Sequence, residues 1–287
     1  MSVTLPTPGF GMFLRQGGRT WHEMVERFQL ADQLGFDYAW TSDHFVAGED
    51  GLQDRLEGWT LIAGLAPLTS RIKLGVLVSG VTFRHPSLLM KEAVTVDHIS
   101  SGRVIIGIGA AWHEAEHRMY GFNLPPAGVR VAMVAETLQI MHSLMTQQYT
   151  TFRGRYYTLE NAPFEPKPVQ RPRIPILVGT SGNKMLELTA RYADMWDTIG
   201  DPKFVAERMQ FLDNKCREVG RDPSEIRRFI REPEDDSVAT SVDKFLDFYN
   251  RYRSLGFTDF TIDFPKNGDV RTLEKIATEV IPELRNA

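Results

Sequence analysis

The sequence predicts a single (β/α)8 barrel carrying one insertion before its fifth strand. Short apolar runs alternate with segments of helical period about eight times along the 287 residues. No antiparallel hairpin signal interrupts them, which favours a closed parallel barrel over an open doubly wound sheet. Barrels of this class commonly use about 250 residues as one unit, so residues 1–287 read as one domain.

The first strand covers residues 9–14. The helix after it spans 21–34, with Trp21, Met24, Val25, Phe28, Ala31 and Leu34 at apolar positions, a capping box from Thr20 to Glu23, and Gly35 as its stop. Residues 36–41 make strand two, a helix near 59–68 follows a polar loop, and 72–78 is strand three. Pro86 suits the first turn of a helix that runs to about residue 98, and Gly102 precedes strand four at 104–108. Beyond a long loop, Val134, Leu138, Met141 and Met145 mark helix four. Residues 149–175 break the rhythm with Pro163, Pro166, Pro168, Pro172 and Pro175, and read as an insertion rich in proline and aromatic residues. Strand five is 174–178, its helix 182–192, and strand six 194–199. Val205, Met209, Leu212, Cys216 and Val219 form a helical stripe closed by Gly220. Strand seven lies near 226–230, before a charged loop at 231–236. Val242, Phe245, Tyr249 and Tyr252 mark helix seven, 257–264 is strand eight, and Val270, Leu273, Ala277, Ile281 and Leu284 mark helix eight.

Charge and composition remove several function classes. Lys and Arg number 33 against 37 Asp and Glu, a net charge of −4 with both signs scattered, which argues against nucleic acid or an anionic membrane as the main partner. No apolar run is long enough to span a bilayer, and residues 1–14 lack the pattern of a secretory signal. The single cysteine, Cys216, excludes an intramolecular disulfide, offers no thiolate zinc cluster, and fits a reducing cytoplasm.

In a parallel barrel, chemistry collects at the carboxyl ends of the strands. Asp43 and His44 stand at the end of strand two, where an imidazole beside a carboxylate can exchange a proton with a substrate oxygen near neutral pH; a loop histidine bonded to backbone is the plainer alternative. Residues 113–117 spell H-E-x-x-H, a zinc pattern in metalloproteases. Here it follows a barrel strand and no third ligand is specified, so a polar, partly exposed helix is the favoured reading and no metal is expected. Gly107 and Gly109 are followed by Trp112 where a dinucleotide fingerprint needs its third glycine, which removes a Rossmann site. They serve either close approach of a flat ligand or a tight strand exit. Gly179, Thr180, Ser181, Gly182, Asn183 and Lys184 join strand five to its helix, where backbone amides and hydroxyls hold an anion or cap an ordinary turn. Arg84 and His85 read as salt-bridge and cap residues ahead of substrate contacts. Trp112 and Trp196, at strand exits, are candidate walls of a substrate pocket.

Taken together, Gly11-Met12-Phe13-Leu14, Thr41-Ser42-Asp43-His44-Phe45, Arg84-His85-Pro86, Ser101-Gly102-Arg103, the run from Gly107 to Glu114, Pro166-Lys167-Pro168, Gly179-Thr180-Ser181-Gly182 and Ala190-Arg191-Tyr192-Ala193-Asp194 resemble the bacterial luciferase-like flavin and deazaflavin oxidoreductases. Within them the chain is similar to the branch that uses coenzyme F420. The resemblance covers almost the whole chain. It implies a homodimeric enzyme that passes hydride between F420 and a small organic substrate, with His44 as proton relay. The alternatives are an FMNH2-dependent monooxygenase and a non-catalytic flavin-binding protein. It places Asp43, Leu77, Val78, Gly109, Ala110 and Ala111 at the ring system, with a non-prolyl cis peptide between Leu77 and Val78. Gly179, Thr180, Ser181, Gly182, Asn183, Lys184 and Met185 match the segment that holds the phosphate-bearing tail. Sugar-phosphate dehydrogenases of this family carry a glutamate where Trp112 stands, so a second acid/base group is missing here unless Glu114 or Glu116 turns inward.

Overall fold

The computed structural model describes residues 5–48, 51–232, 238–266 and 268–286. In chain order its strands are β1 (Gly9–Phe13), β2 (Tyr38–Thr41), β3 (Lys73–Gly80), β4 (Val104–Gly109), β5 (Tyr149–Arg153), β6 (Thr158–Pro163), β7 (Ile176–Gly179), β8 (Met195–Thr198), β9 (Arg227–Arg231) and β10 (Asp259–Asp263). Eight of them close a parallel barrel in the order β1-β10-β9-β8-β7-β4-β3-β2, while β5 and β6 pair separately. The closed barrel is the one expected from the sequence. Of the charged loop expected at 231–236, residues 233–236 lie outside the described residues.

The helices are α1 (Trp21–Gln33), α2 (Gly58–Leu65), α3 (Pro86–Ile99), α4 (Glu114–Tyr120), α5 (Ala127–Thr146), α6 (Asn183–Tyr192), α7 (Pro202–Glu218), α8 (Val242–Arg253), α9 (Arg271–Lys275) and α10 (Ile281–Asn286). Thr20 and Glu23 form the expected capping box of α1. The last helix is broken by a π turn over Ile276–Val280, just before Pro282, whose missing N–H cannot continue the α-helical bonding.

One expectation fails. The segment 149–175 contains an antiparallel hairpin, β5 with β6, although no hairpin was legible there. Its turn is organised from outside: the Glu136 carboxylate on α5 accepts from the amides of Arg155, Tyr156 and Tyr157. A turn held by a distant carboxylate needs no Asn-Gly or Asp-Gly of its own.

Alternate residues on each barrel strand face inward. Phe13, Tyr38, Trp40, Leu77, Ile105, Leu177, Met195 and Phe229 pack together as the barrel interior. Bulky residues fit because their neighbours are glycine. A methyl group on Gly75 would stand 2.6 Å from Cζ3 of Trp40, and one on Gly11 3.1 Å from its Nε1. The other face of each strand, with Phe10, Ile106, Ile176 and Trp196 fully buried, packs on Phe28, Leu138, Leu212 and Phe245 of the helices. Cys216 is buried in that layer, and burial pushes its thiol up, as expected of a core residue.

Candidate active site

A cleft of about 700 Å³ opens at the carboxyl ends of the strands. That is within the range of sites for cofactor-sized ligands, roughly 300–1,000 Å³. Protein side chains leave it open rather than plugging it.

His44 and Asp43 line one wall. The Nδ1 of His44 lies 3.0 Å from Oε2 of Glu116, which is fully buried at the start of α4. The other oxygen, Oε1, accepts from the amides of Phe45 and Val46. Burial pushes the Glu116 carboxyl up, but hydrogen bonds from His44 and the Phe45 amide, the His44 charge and the Val46 amide together hold it below the usual range. An ionised carboxylate only accepts, so it fixes the proton of a neutral His44 on Nδ1 and leaves the lone pair on Nε2. Arg55 ties down the same loop by donating to the carbonyls of His44 and Val46.

The H-E-x-x-H run resolves into three separate tasks. His113 caps α4, its Nδ1 accepting from the Glu116 amide at 3.0 Å. Glu116 turns inward to His44, whereas Glu114 is exposed. His117 is buried, with Nδ1 2.8 Å from the His113 carbonyl and Nε2 2.7 Å from the Thr82 hydroxyl, and it stacks on Phe83. So α4 is the polar, partly exposed helix expected, with Glu116 and His117 on its buried side. Among the described residues no group of three His, Cys, Asp or Glu stands at metal-holding distance.

Asp43 is buried and braces the wall. Its Oδ2 accepts from the Gly80 amide at 2.8 Å and from Arg84 at 2.7 Å, while Oδ1 has no partner among the described residues. Burial raises its carboxyl despite that arginine. Arg84 also meets Glu57 at 2.9 Å and Glu92 at 3.2 Å, and His85 caps α3 through the Ser87 amide. Both residues thus take the salt-bridge and cap roles favoured from sequence.

The Leu77–Val78 peptide is cis, and the β3–β4 register shifts between Val76 and Ser79. The Val78 side chain packs against two glycines. A methyl on Gly109 would lie 2.6 Å from Val78 Cγ2, and one on Gly179 2.9 Å from Cγ1. Those glycines make room for a protein side chain, which for Gly109 is a use beyond the two local alternatives. Gly109, Ala110 and Ala111 line the cleft beside it, and Ala111 takes a left-handed φ of 54° that turns the chain out of β4.

Gly179, Thr180, Ser181, Gly182 and Met185 line the opposite wall. Thr180 Oγ1 accepts from the Gly182 amide, and Gly182 is the N-cap of α6, which has no side-chain cap. Its first-turn amides are available to an anion. Asn183 and Lys184 do not line the cleft; Asn183 instead accepts from Arg208 at 2.6 Å. Trp112 is 69% exposed at the cleft rim, edge-on to His44 at 5.7 Å. Trp196 is no pocket wall. It is fully buried on the outer face of β8, donating to the Thr180 carbonyl at 2.8 Å and stacked on Phe257.

The family model for luciferase-like monooxygenases matches residues 1–251. This chain belongs to the bacterial luciferase-like family. A relative in Microbacterium testaceum, an F420-dependent glucose-6-phosphate dehydrogenase, is 25% identical over 92% of this chain and 94% of its own. The pyrimidine monooxygenase RutA of Caulobacter vibrioides is 27% identical over 76% of this chain and 64% of its own. In fold, the chain superposes on an F420-dependent secondary alcohol dehydrogenase solved with an F420–acetone adduct, with a TM-score of 0.83 and 20% identity over 97% of this chain and 99% of the other. Relatives of luciferase-like type thus include both F420-dependent and monooxygenase members.

Among the cleft residues of this luciferase-like barrel that escaped the sequence reading, two carry opposite charges on neighbouring strands. Asp197 on β8 and Arg231 on β9 both line the cleft. Burial pushes the Asp197 carboxyl up to about 6, against the pull of Arg231. The signal that could have found them is the pleat itself, since Met195 and Asp197 share the inward face of β8 while Trp196 takes the other.

Proposed function

We propose that this chain transfers a hydride between coenzyme F420 and a small organic substrate, with His44 exchanging the accompanying proton. The observation that supports this most is the His44–Glu116 pair on one wall of an open cleft, opposite an uncapped helix N-terminus. F420-dependent proteins among its relatives support it too.

The cleft fits such a cofactor. When bound, the deazaflavin supplies the hydride donor or acceptor in its central ring. Leu77, Val78, Gly109, Ala110 and Ala111 would flank the ring, and Thr180, Ser181 and Gly182 with the first turn of α6 would hold the phosphate. His44 Nε2 would take the proton of a substrate hydroxyl as its carbon loses hydride, or return it in reverse. Glu116 keeps the ring oriented and offsets the charge of the imidazolium.

A reduced-flavin monooxygenase is the second reading, favoured by the RutA relative. Fluorescence titration of the purified protein with F420 and FMN in parallel separates the two. The proposal expects F420 to bind at least ten-fold more tightly, and an FMN preference with oxygen-dependent turnover would replace it.

A further inference from the structure

β8 lies four strands from β2 in the ring of eight, so Asp197 stands across the barrel mouth from His44. It is 3% exposed, and the nearest cation, Arg231, holds Nη2 3.9 Å from its Oδ2, too far for a hydrogen bond. Oδ1 of Asp197 and Nε of Arg231 are both buried without a partner among the described residues. Native proteins rarely leave such atoms unserved, because a buried donor or acceptor without a partner forfeits its bonds to water. An acceptor and a donor left unserved together in the wall of an open cleft mark a place for a ligand group. Arg15, the neighbouring cation, is already paired with Asp263 at 3.0 Å, and the guanidiniums of Arg15 and Arg231 both lie over the Phe13 ring. A free anion placed there meets the Asp197 carboxylate, and a cation meets Arg231. A neutral group with an N–H beside a C=O satisfies both.

We propose that Asp197 and Arg231 form a recognition subsite for a lactam or imide edge, whose N–H donates to the Asp197 carboxylate and whose carbonyl accepts from Arg231. It rests on the proposed function only in that the edge belongs either to the pyrimidine ring of the bound cofactor or to a separate substrate beside it.

The test uses the full chain and its Asp197→Leu and Arg231→Met variants, with Asp197→Asn as the variant that keeps the side-chain shape. F420 and FMN are titrated by fluorescence. Uracil and 1,3-dimethyluracil, which lacks the N–H groups, are titrated by calorimetry with and without cofactor. If the edge is the cofactor's, Asp197→Leu and Arg231→Met each weaken cofactor binding at least ten-fold, with Asp197→Asn between them and wild type. If it is the substrate's, cofactor affinity stays within two-fold, wild type prefers uracil to the dimethyl compound at least ten-fold, and both variants lose that preference. The subsite is overturned by variants that bind cofactor like wild type when wild type also shows no preference for uracil. Acetate competing as well as uracil overturns it equally. Failure of the wild type to bind either cofactor sinks the function proposed above, and uracil titrated into the free protein then decides the subsite alone.

Discussion

His44 and Glu116 are separated by 72 residues in sequence and by 3.0 Å in the fold, Nδ1 to Oε2. If His44 relays the proton, His44→Ala lowers kcat by about 10²–10⁴-fold while cofactor affinity changes only a few-fold. Glu116→Gln lowers kcat less, because the ring remains but loses its fixed tautomer. The carboxyl of Glu116 is held below its usual 4.5, so its contribution to stability is full above that value and disappears as pH falls through the lower folded value. Melts of wild type and Glu116→Gln should therefore differ at pH 7 and converge in acid. Unchanged turnover in His44→Ala removes the relay.

The anion-binding turn makes a prediction that differs from one based on side-chain charge. Lys184 does not line the cleft, whereas the first-turn amides of α6 are uncapped. Dephosphorylating the cofactor should weaken binding by roughly ten- to a hundred-fold, or about 1.4–2.8 kcal/mol. Lys184→Ala should change it no more than about three-fold, in keeping with the modest energy of exposed charge. Equal losses from both changes would place the phosphate on Lys184 instead.

Gly109 tests the seat of Val78. A methyl 2.6 Å from Val78 Cγ2 has to push that side chain or the strand behind it. Gly109→Ala should lose about 1–3 kcal/mol of stability, the usual range for overpacking. Val78 would move toward the cleft, so cofactor affinity should fall as well. Adding Val78→Ala should recover part of both losses, and a lack of recovery would mean the two residues are not coupled.

The barrel was legible because most strands are short runs rich in apolar residues followed by a segment of helical period, several of them with a capping residue, signals that lie within about fifteen residues of each other. What escaped depends on longer range or on finer phase. Glu116 reads locally as part of a zinc pattern, and only closure of the barrel brings it to His44. The β5–β6 turn is held by Glu136 on another element, so nothing within it announces a hairpin. At the exit of β8 the strand was identified, but not which of Trp196 and Asp197 faces inward. A one-residue change of phase exchanges the faces, and the aromatic drew attention from the carboxylate that lines the cleft.

Arg84 joins three carboxylates, those of Asp43, Glu57 and Glu92. Arg84→Met strands the buried Asp43, and breaking a buried pair from one side typically costs about 3–5 kcal/mol. For a chain of this size that corresponds to a melting temperature lower by roughly 6–20 °C. Arg84→Lys should restore only part of it, since one ammonium cannot reproduce the planar fork. A thermal melt of the three proteins at pH 7 checks this, and a shift of under about 2 °C for Arg84→Met would show that the cluster is solvated rather than buried.

Asp197 gives the sharpest dependence on pH. Its carboxyl rises from 3.8 to about 6 on folding, because burial penalises the charge more than Arg231 relieves it. A group raised in this way favours the fold when protonated. Its contribution is fully present below about 3.8, is lost as pH rises through about 6, and stays lost above. The shift is about two pH units, or roughly 3 kcal/mol. Asp197→Asn cannot ionise and keeps the shape, so wild type should lose stability relative to this variant across that window and run parallel to it from about pH 7 upward. Denaturant melts from pH 4 to 8 measure the difference directly. A constant difference across the range would mean that the carboxyl ionises alike in the folded and unfolded chain, which requires water or a hydrogen-bond donor at Oδ1 in the ligand-free protein.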